Sequence, residues 1–145
     1  MTAAPQGSHR PVATPRPGER TALRVPARSA YLGLVRTVFA SVAGAADFSV
    51  DDIEDLRMAA DEAAALLMSG SHPDAILSVT IEVLEDGLSI TATAPATGVT
   101  ISTDSFAWTV LSTLADTAEH TTDHTKAGDT TTIAVTKTRS DELPV

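Results

Sequence analysis

His120 and His124 flank Asp123 in a Thr-rich stretch, a spacing that invites a metal-binding reading. Zinc needs at least three converging ligands, and residues four apart in a strand lie roughly 13 Å apart along the chain. Only a helical turn would bring them together, and the threonines around them disfavour one, so surface polar residues are expected here. Six acids, Asp51, Asp52, Glu54, Asp55, Asp61 and Glu62, fall within twelve residues. They would suit a basic partner, and a solvated helix surface explains them equally well. The absence of cysteine excludes disulfide and thiolate-metal chemistry. Phe106 and Trp108 are either core or part of a partner-facing patch. With aromatics at 3% of the chain, both are expected in the core.

The elements that carry these residues must come from 145 residues, enough for one domain with a single core. The hydrophobic fraction is 43%, so the core has to be built from Ala, Val, Leu and Ile. A net charge of −9 argues against nucleic acid, whose phosphates are bound through Lys and Arg. No run of about 18 apolar residues is present to span a bilayer, and the N-terminus has no apolar signal region. A soluble, cytoplasmic protein without a membrane partner is expected.

Residues 1–21 are rich in Pro and Arg and read as a disordered arm, in which Arg10, Arg16 and Arg20 would form at most a weak electrostatic tether. The domain is expected over residues 22–139, with a loose end at 140–145. Leu23–Val25 reads as a short strand stopped by Pro26. A helix follows from about Ser29, with Tyr31, Leu34, Val35, Val38 and Val42 on its inner face and Gly44 at its end. In the second helix Ser49 is the cap, with Asp52 three residues on, Ile53, Leu56, Ala60, Ala63, Ala64 and Leu67 facing inward, and Gly70 closing it. From Ala75 the period becomes two. Leu77, Val79, Ile81 and Val83 alternate with polar residues, Asp86-Gly87 marks a hairpin, and Leu88, Ile90, Ala92 and Ala94 continue on the return. After a loop over Pro95–Thr103, a third helix is expected over Ser105–Ala118, with Phe106, Val110, Leu111 and Leu114 inward. Two Thr-rich strands then run from Glu119 to Thr138 around a turn at Ala127-Gly128-Asp129. The order predicts an α+β fold, a two-layer sandwich of a mostly antiparallel sheet with its helices on one face.

Three segments together carry a family resemblance. They are Pro26-Ala27-Arg28-Ser29 leading into a helix with Arg36, then Leu56-Arg57-Met58-Ala59-Ala60-Asp61-Glu62-Ala63, and then Phe106–Asp116 followed by Gly128 and a Thr-rich closing strand. In this order they resemble the RsbW-type anti-sigma factors, actinobacterial members above all, a branch of the Bergerat-fold (GHKL) ATPase superfamily. The match covers roughly Ala22 to Thr138. The resemblance implies binding of an RNA polymerase sigma factor, with Arg36 matching the first-helix arginine that contacts it. It also implies release by an anti-anti-sigma protein of the STAS fold, and homodimers in the region of the sheet edge. Active members phosphorylate the STAS partner on serine.

That activity has four requirements: a carboxylate base, a metal-binding Asn four residues after it, an adenine-binding Asp with neighbouring glycines, and a Gly-rich phosphate turn. Glu62 matches the base. Leu66 stands at the Asn position and offers no oxygen; with Asp55, Ala59 and Glu62 it forms a stripe expected to face away from the core. Ile90–Gly98 contains no acid, and only Gly98 could survive from the adenine pattern. Ser105-Phe106-Ala107-Trp108 replaces the Gly-x-Gly before the third helix, and its side chains, Trp108 above all, are expected to obstruct phosphate approach. The expectation is a kinase-inactive anti-sigma factor that binds neither ATP nor Mg. The rivals are an active serine kinase with unconventional motifs, and a scaffold or sensor that uses the altered pocket for something other than a sigma factor.

Overall fold

The computed structural model describes residues 14–69, 71–72, 74–96 and 101–140. The expected helix stop at Gly70, Gly98 with the middle of its loop, and the C-terminal residues 141–145 lie outside them. So does the greater part of the arm.

Among the described residues five strands and three α-helices follow in the order β1 (Arg20–Pro26), α1 (Leu32–Ala45, entered through a 3-10 turn at Ser29–Tyr31), α2 (Val50–Met68), β2 (Ile76–Val83), β3 (Gly87–Pro95), α3 (Phe106–Leu114), β4 (Thr117–Thr125) and β5 (Gly128–Thr138). The strands form one sheet in the order β1-β2-β3-β5-β4, and every neighbouring pair is antiparallel. The expected α+β sandwich is the fold observed.

The central strands follow their alternation. Leu77, Val79, Ile81 and Val83 of β2 and Leu88, Ile90, Ala92 and Ala94 of β3 are all buried, as are Ile133 and Val135 of β5. The hairpin between β2 and β3 closes with Leu84 N–H donating to Gly87 O at 2.9 Å. Glycine is required at the start of β3. A Cβ on Gly87 would lie 2.2 Å from the Lys137 carbonyl oxygen, far inside any tolerable contact. β1 begins three residues earlier than expected and takes Arg20 and Thr21 from the arm. Just before it, Gly18 N–H donates to Val83 O at 2.8 Å.

The helices differ more from expectation. In α1 the buried residues are Val35, Phe39 and Ala43, while Leu34 is 47% exposed. The inner stripe is thus rotated from the expected one. Gly44 does not end this helix but sits inside its last turn. Phe48 N–H donates to Ala43 O at 3.0 Å and Asp47 N–H to Gly44 O at 3.2 Å, the paired bonds of a Schellman cap. Asp47 occupies the left-handed position, with φ +64°. Replacing it with glycine removes a conformational cost that only glycine escapes, partly offset by the freer unfolded chain. Asp47→Gly is expected to stabilise the fold by about 0.5 kcal/mol, read as a higher urea midpoint at unchanged slope.

α2 is capped as expected, with Ser49 Oγ accepting from Asp52 N–H at 3.1 Å. Leu56, Ala60, Ala64 and Leu67 are buried, and so is Ala59, at 3% exposure. The stripe of Asp55, Ala59, Glu62 and Leu66 therefore does not face away from the core. α2 packs between α1 and α3, and this stripe forms one flank of the packed layer. α3 ends at Leu114, four residues short of expectation, because Ala115 turns to an extended conformation and leads into β4. β4 and β5 meet through a two-residue turn, Lys126-Ala127, one step earlier than expected.

Candidate functional site

Two places hold the residues singled out in the sequence: the outer face of α1 and α2, which carries Arg36, and the flank of α2 that carries Glu62 and Leu66. Arg36 projects from the second turn of α1, and its Nη1 lies 3.3 Å from Asp61 Oδ2 on α2. Both side chains are about two-fifths exposed, at 42% and 39%. Asp61 Oδ1 is screened from solvent and has no hydrogen-bond partner among the described residues. The pair thus fixes a guanidinium on the surface with part of its donor capacity still free. Leu34 and Met58, close in sequence to Arg36 and Asp61, are both about half exposed.

On the other flank, Glu62 is half-buried on α2. Leu66, one turn on, packs against the core cluster. Leu66, Leu67, Pro95, Ala96, Ile101 and Thr131 line a recess of about 10 Å³ between α2 and the ends of β3 and β5, room for about one water. Trp108 is not at the mouth of this cleft. It is buried at 7% exposure, and its ring meets His120 edge-on with centroids 4.9 Å apart. Phe106 is the reverse, 83% exposed, which corrects its expected place in the core. Ser105 sets this arrangement: its Oγ accepts from Trp108 N–H at 3.2 Å and starts the helix there.

His120 and His124 lie on β4 and do not converge. His124 Nδ1 is 2.9 Å from Asp129 Oδ1 across the hairpin. Among the described residues no three acidic or histidine side chains form a metal-sized group, and no helix is long and apolar enough to cross a membrane.

One constellation escaped the sequence reading. Asp52, buried at 3% exposure, accepts from Ser140 N–H and Ser140 Oγ, both at 2.8 Å. Lys137 Nζ lies 3.8 Å from Asp52 Oδ1 and 3.3 Å from Asp55 Oδ2, and donates to Leu114 O at 3.0 Å. Burial pushes the Asp52 carboxyl up. The Ser140 hydrogen bonds, the Lys137 ammonium and the Ser49 hydroxyl outweigh it, and the carboxyl is held below its ordinary value of 3.8. Apart from the capping Ser49, its partners stand 85 or more residues away in sequence, so no local pattern announces them. This group ties the end of β5 to the start of α2 and contains no reactive arrangement.

An antiparallel five-stranded sheet with three helices on one face, α2 at the centre of the helical layer, places the chain among GHKL-like two-layer sandwiches. No family model matches the chain. It is similar to the anti-sigma-F factor RsbW of Mycobacterium tuberculosis, 35% identical over 95 residues that cover 65% of this chain and 56% of that protein. It is also similar to the serine-protein kinase RsbW of Bacillus cereus, 32% identical over 76 residues covering 51% and 48% of the two chains. These relatives bear out the RsbW-type resemblance read from the sequence. The chain spans about half the length of the curated relatives it matches.

Proposed function

We propose that this protein is a cytoplasmic anti-sigma factor that sequesters an RNA polymerase sigma factor by occlusion, without phosphorylating anything, and is released by a STAS-fold anti-anti-sigma partner. The observation that carries the inactive part of this reading is Leu66. It stands where a metal-holding Asn would be needed, it is apolar, and it packs against the core. Magnesium demands oxygen ligands in near-octahedral geometry, which a leucine cannot supply. The residues around it do not fit a nucleotide either. Ile90–Ala96 holds no acid to read an adenine. The Arg36 face supports the binding part, since an exposed arginine with free donor capacity is the kind of residue favoured at interface centres.

Two observations favour the rival kinase reading. Glu62 is half-buried on α2, and relatives carry the name serine-protein kinase. Two measurements separate the readings. Calorimetric titration with Mg-ATP should give no saturable heat, and affinity capture from a bacterial lysate should recover a sigma factor. Micromolar ATP binding, or radiolabelled phosphate transfer to a STAS protein, would defeat the occlusion reading. Capture that returns no sigma factor would favour a scaffold or sensor instead.

A further inference from the structure

The charges of this chain are segregated. Up to residue 46 it has six arginines against one acid, Glu19, and thereafter four bases against eighteen acids. The fold gathers much of the basic share on one margin of the sheet. β1 is an edge strand, and Arg20, Arg24 and the following Arg28 are all exposed. Arg20 Nε lies 2.9 Å from Glu82 Oε1, and the Arg28 guanidinium sits 5.5 Å over the Tyr31 ring. Among the described residues Arg24 makes no ion pair.

Three features converge at this margin. The first is main-chain valence. Val83 N–H donates to Glu19 O at 2.9 Å and Ala27 N–H to Ala75 O at 2.8 Å, so the odd-numbered residues of this stretch bond toward β2. Alternation then directs the N–H and C=O groups of Arg20, Ala22 and Arg24 outward, with nothing from the sheet to receive them. The second is charge. Arg20 and Arg24 share the face opposite to the core-facing Leu23 and Val25, about 13 Å apart along the strand. The third is shape. On the helix side of the same edge, Thr21 and Val83 with Ser41, Val42 and Ala45 of α1 line a groove of about 340 Å³, whose remaining wall is Thr14, Pro15, Glu19 and Arg20.

We propose that the β1 edge docks an extended segment of another protein in which acidic side chains alternate with small apolar ones. Such a segment would add as a sixth strand. Its main chain would satisfy the outward groups of β1, its carboxylates would stand beside Arg20 and Arg24, and its apolar residues would enter the groove against Val42 and Ala45. A second copy of this chain meeting edge to edge would set arginines against arginines. A nucleic acid or an anionic membrane would meet an overall charge of −9 and leave the outward main-chain groups unused. This surface is separate from Arg36 and does not depend on the sigma-binding reading.

The test uses the full chain, isotopically labelled, and a capped seven-residue peptide alternating glutamate and valine. Saturable binding is expected, with slowed amide exchange at Arg20, Ala22 and Arg24 of the edge. Arg24→Glu should weaken it about tenfold, the size of one lost cross-strand charge pair turned repulsive. Arg36→Glu should leave it unchanged, and a peptide with lysine for glutamate should not bind. No binding, or binding without protection of those three amides, overturns the proposal. So does tighter, Arg24-dependent binding of oligothymidylate or of phosphatidylglycerol vesicles, which would assign the margin to a polyanion.

Discussion

Replacing Asp52 with alanine is expected to cost about 3 kcal/mol of folding stability at neutral pH, the loss typical of a buried carboxylate whose charged and hydrogen-bonded partners are left behind. Ser140 would lose both of its bonds to the side chain, at 2.8 Å each. Lys137, its side chain only 12% exposed, would keep Asp55 and the Leu114 carbonyl but lose its buried counter-charge. The pH dependence distinguishes this account from simple loss of packing. The native carboxyl is held below its ordinary value of 3.8, so on acidification the unfolded chain takes up the proton first. Its contribution is complete above that value and disappears as the pH falls through the native one. The gap between wild type and Asp52→Ala in urea unfolding should therefore be constant from about pH 5 to 7 and narrow below about pH 4. A gap independent of pH down to acid unfolding would mean that the charge is not what stabilises.

This group also marks where sequence reasoning stops. The cap at Ser49 was legible because its acceptor and donor are three residues apart. The partners of the Asp52 carboxylate arrive from the far end of β5, and only the completed sheet brings them there. The strands β2 and β3 were legible because one face is buried and the other wet, which writes a period of two into the chain. β4 carries no such period, because it is an edge strand exposed along most of its length. Its start was accordingly lost inside the expected third helix.

The helices failed for a different reason. Ala-rich α1 offers apolar residues nearly all round, so several stripes fit, and Phe39 rather than Leu34 supplies the anchor. In α3 the two aromatics are two residues apart, about 200° around the helix, so only one can face the core. The sequence does not say which. The Ser105 cap and the packing of Trp108 on His120 decide it, and Phe106 is left in solvent. At the cleft flank, the identity of Leu66 was legible and its environment was not. The stripe expected to face away from the core proved to be part of the packed layer, with Ala59 buried in it.

Arg36→Glu is expected to weaken binding of the cognate sigma factor at least a hundredfold, since a central interface arginine replaced by the opposite charge costs about 3 kcal/mol or more. The fold should tolerate the change. The Arg36–Asp61 pair is two-fifths exposed at 3.3 Å, and pairs of that kind contribute about 0–1 kcal/mol. Wild-type-like urea unfolding beside lost capture would locate the effect in the interface. Asp61 gives the finer test. If it only orients the guanidinium, Asp61→Asn should weaken binding several-fold while leaving Arg36 able to engage, a smaller loss than reversing the arginine itself. Arg36→Lys separates charge from shape, because an ammonium keeps the charge but not the planar fork that grips a carboxylate in two places. Full binding by the lysine variant would reduce the role of Arg36 to long-range attraction. Unchanged capture by Arg36→Glu would remove this face from the sigma contact altogether.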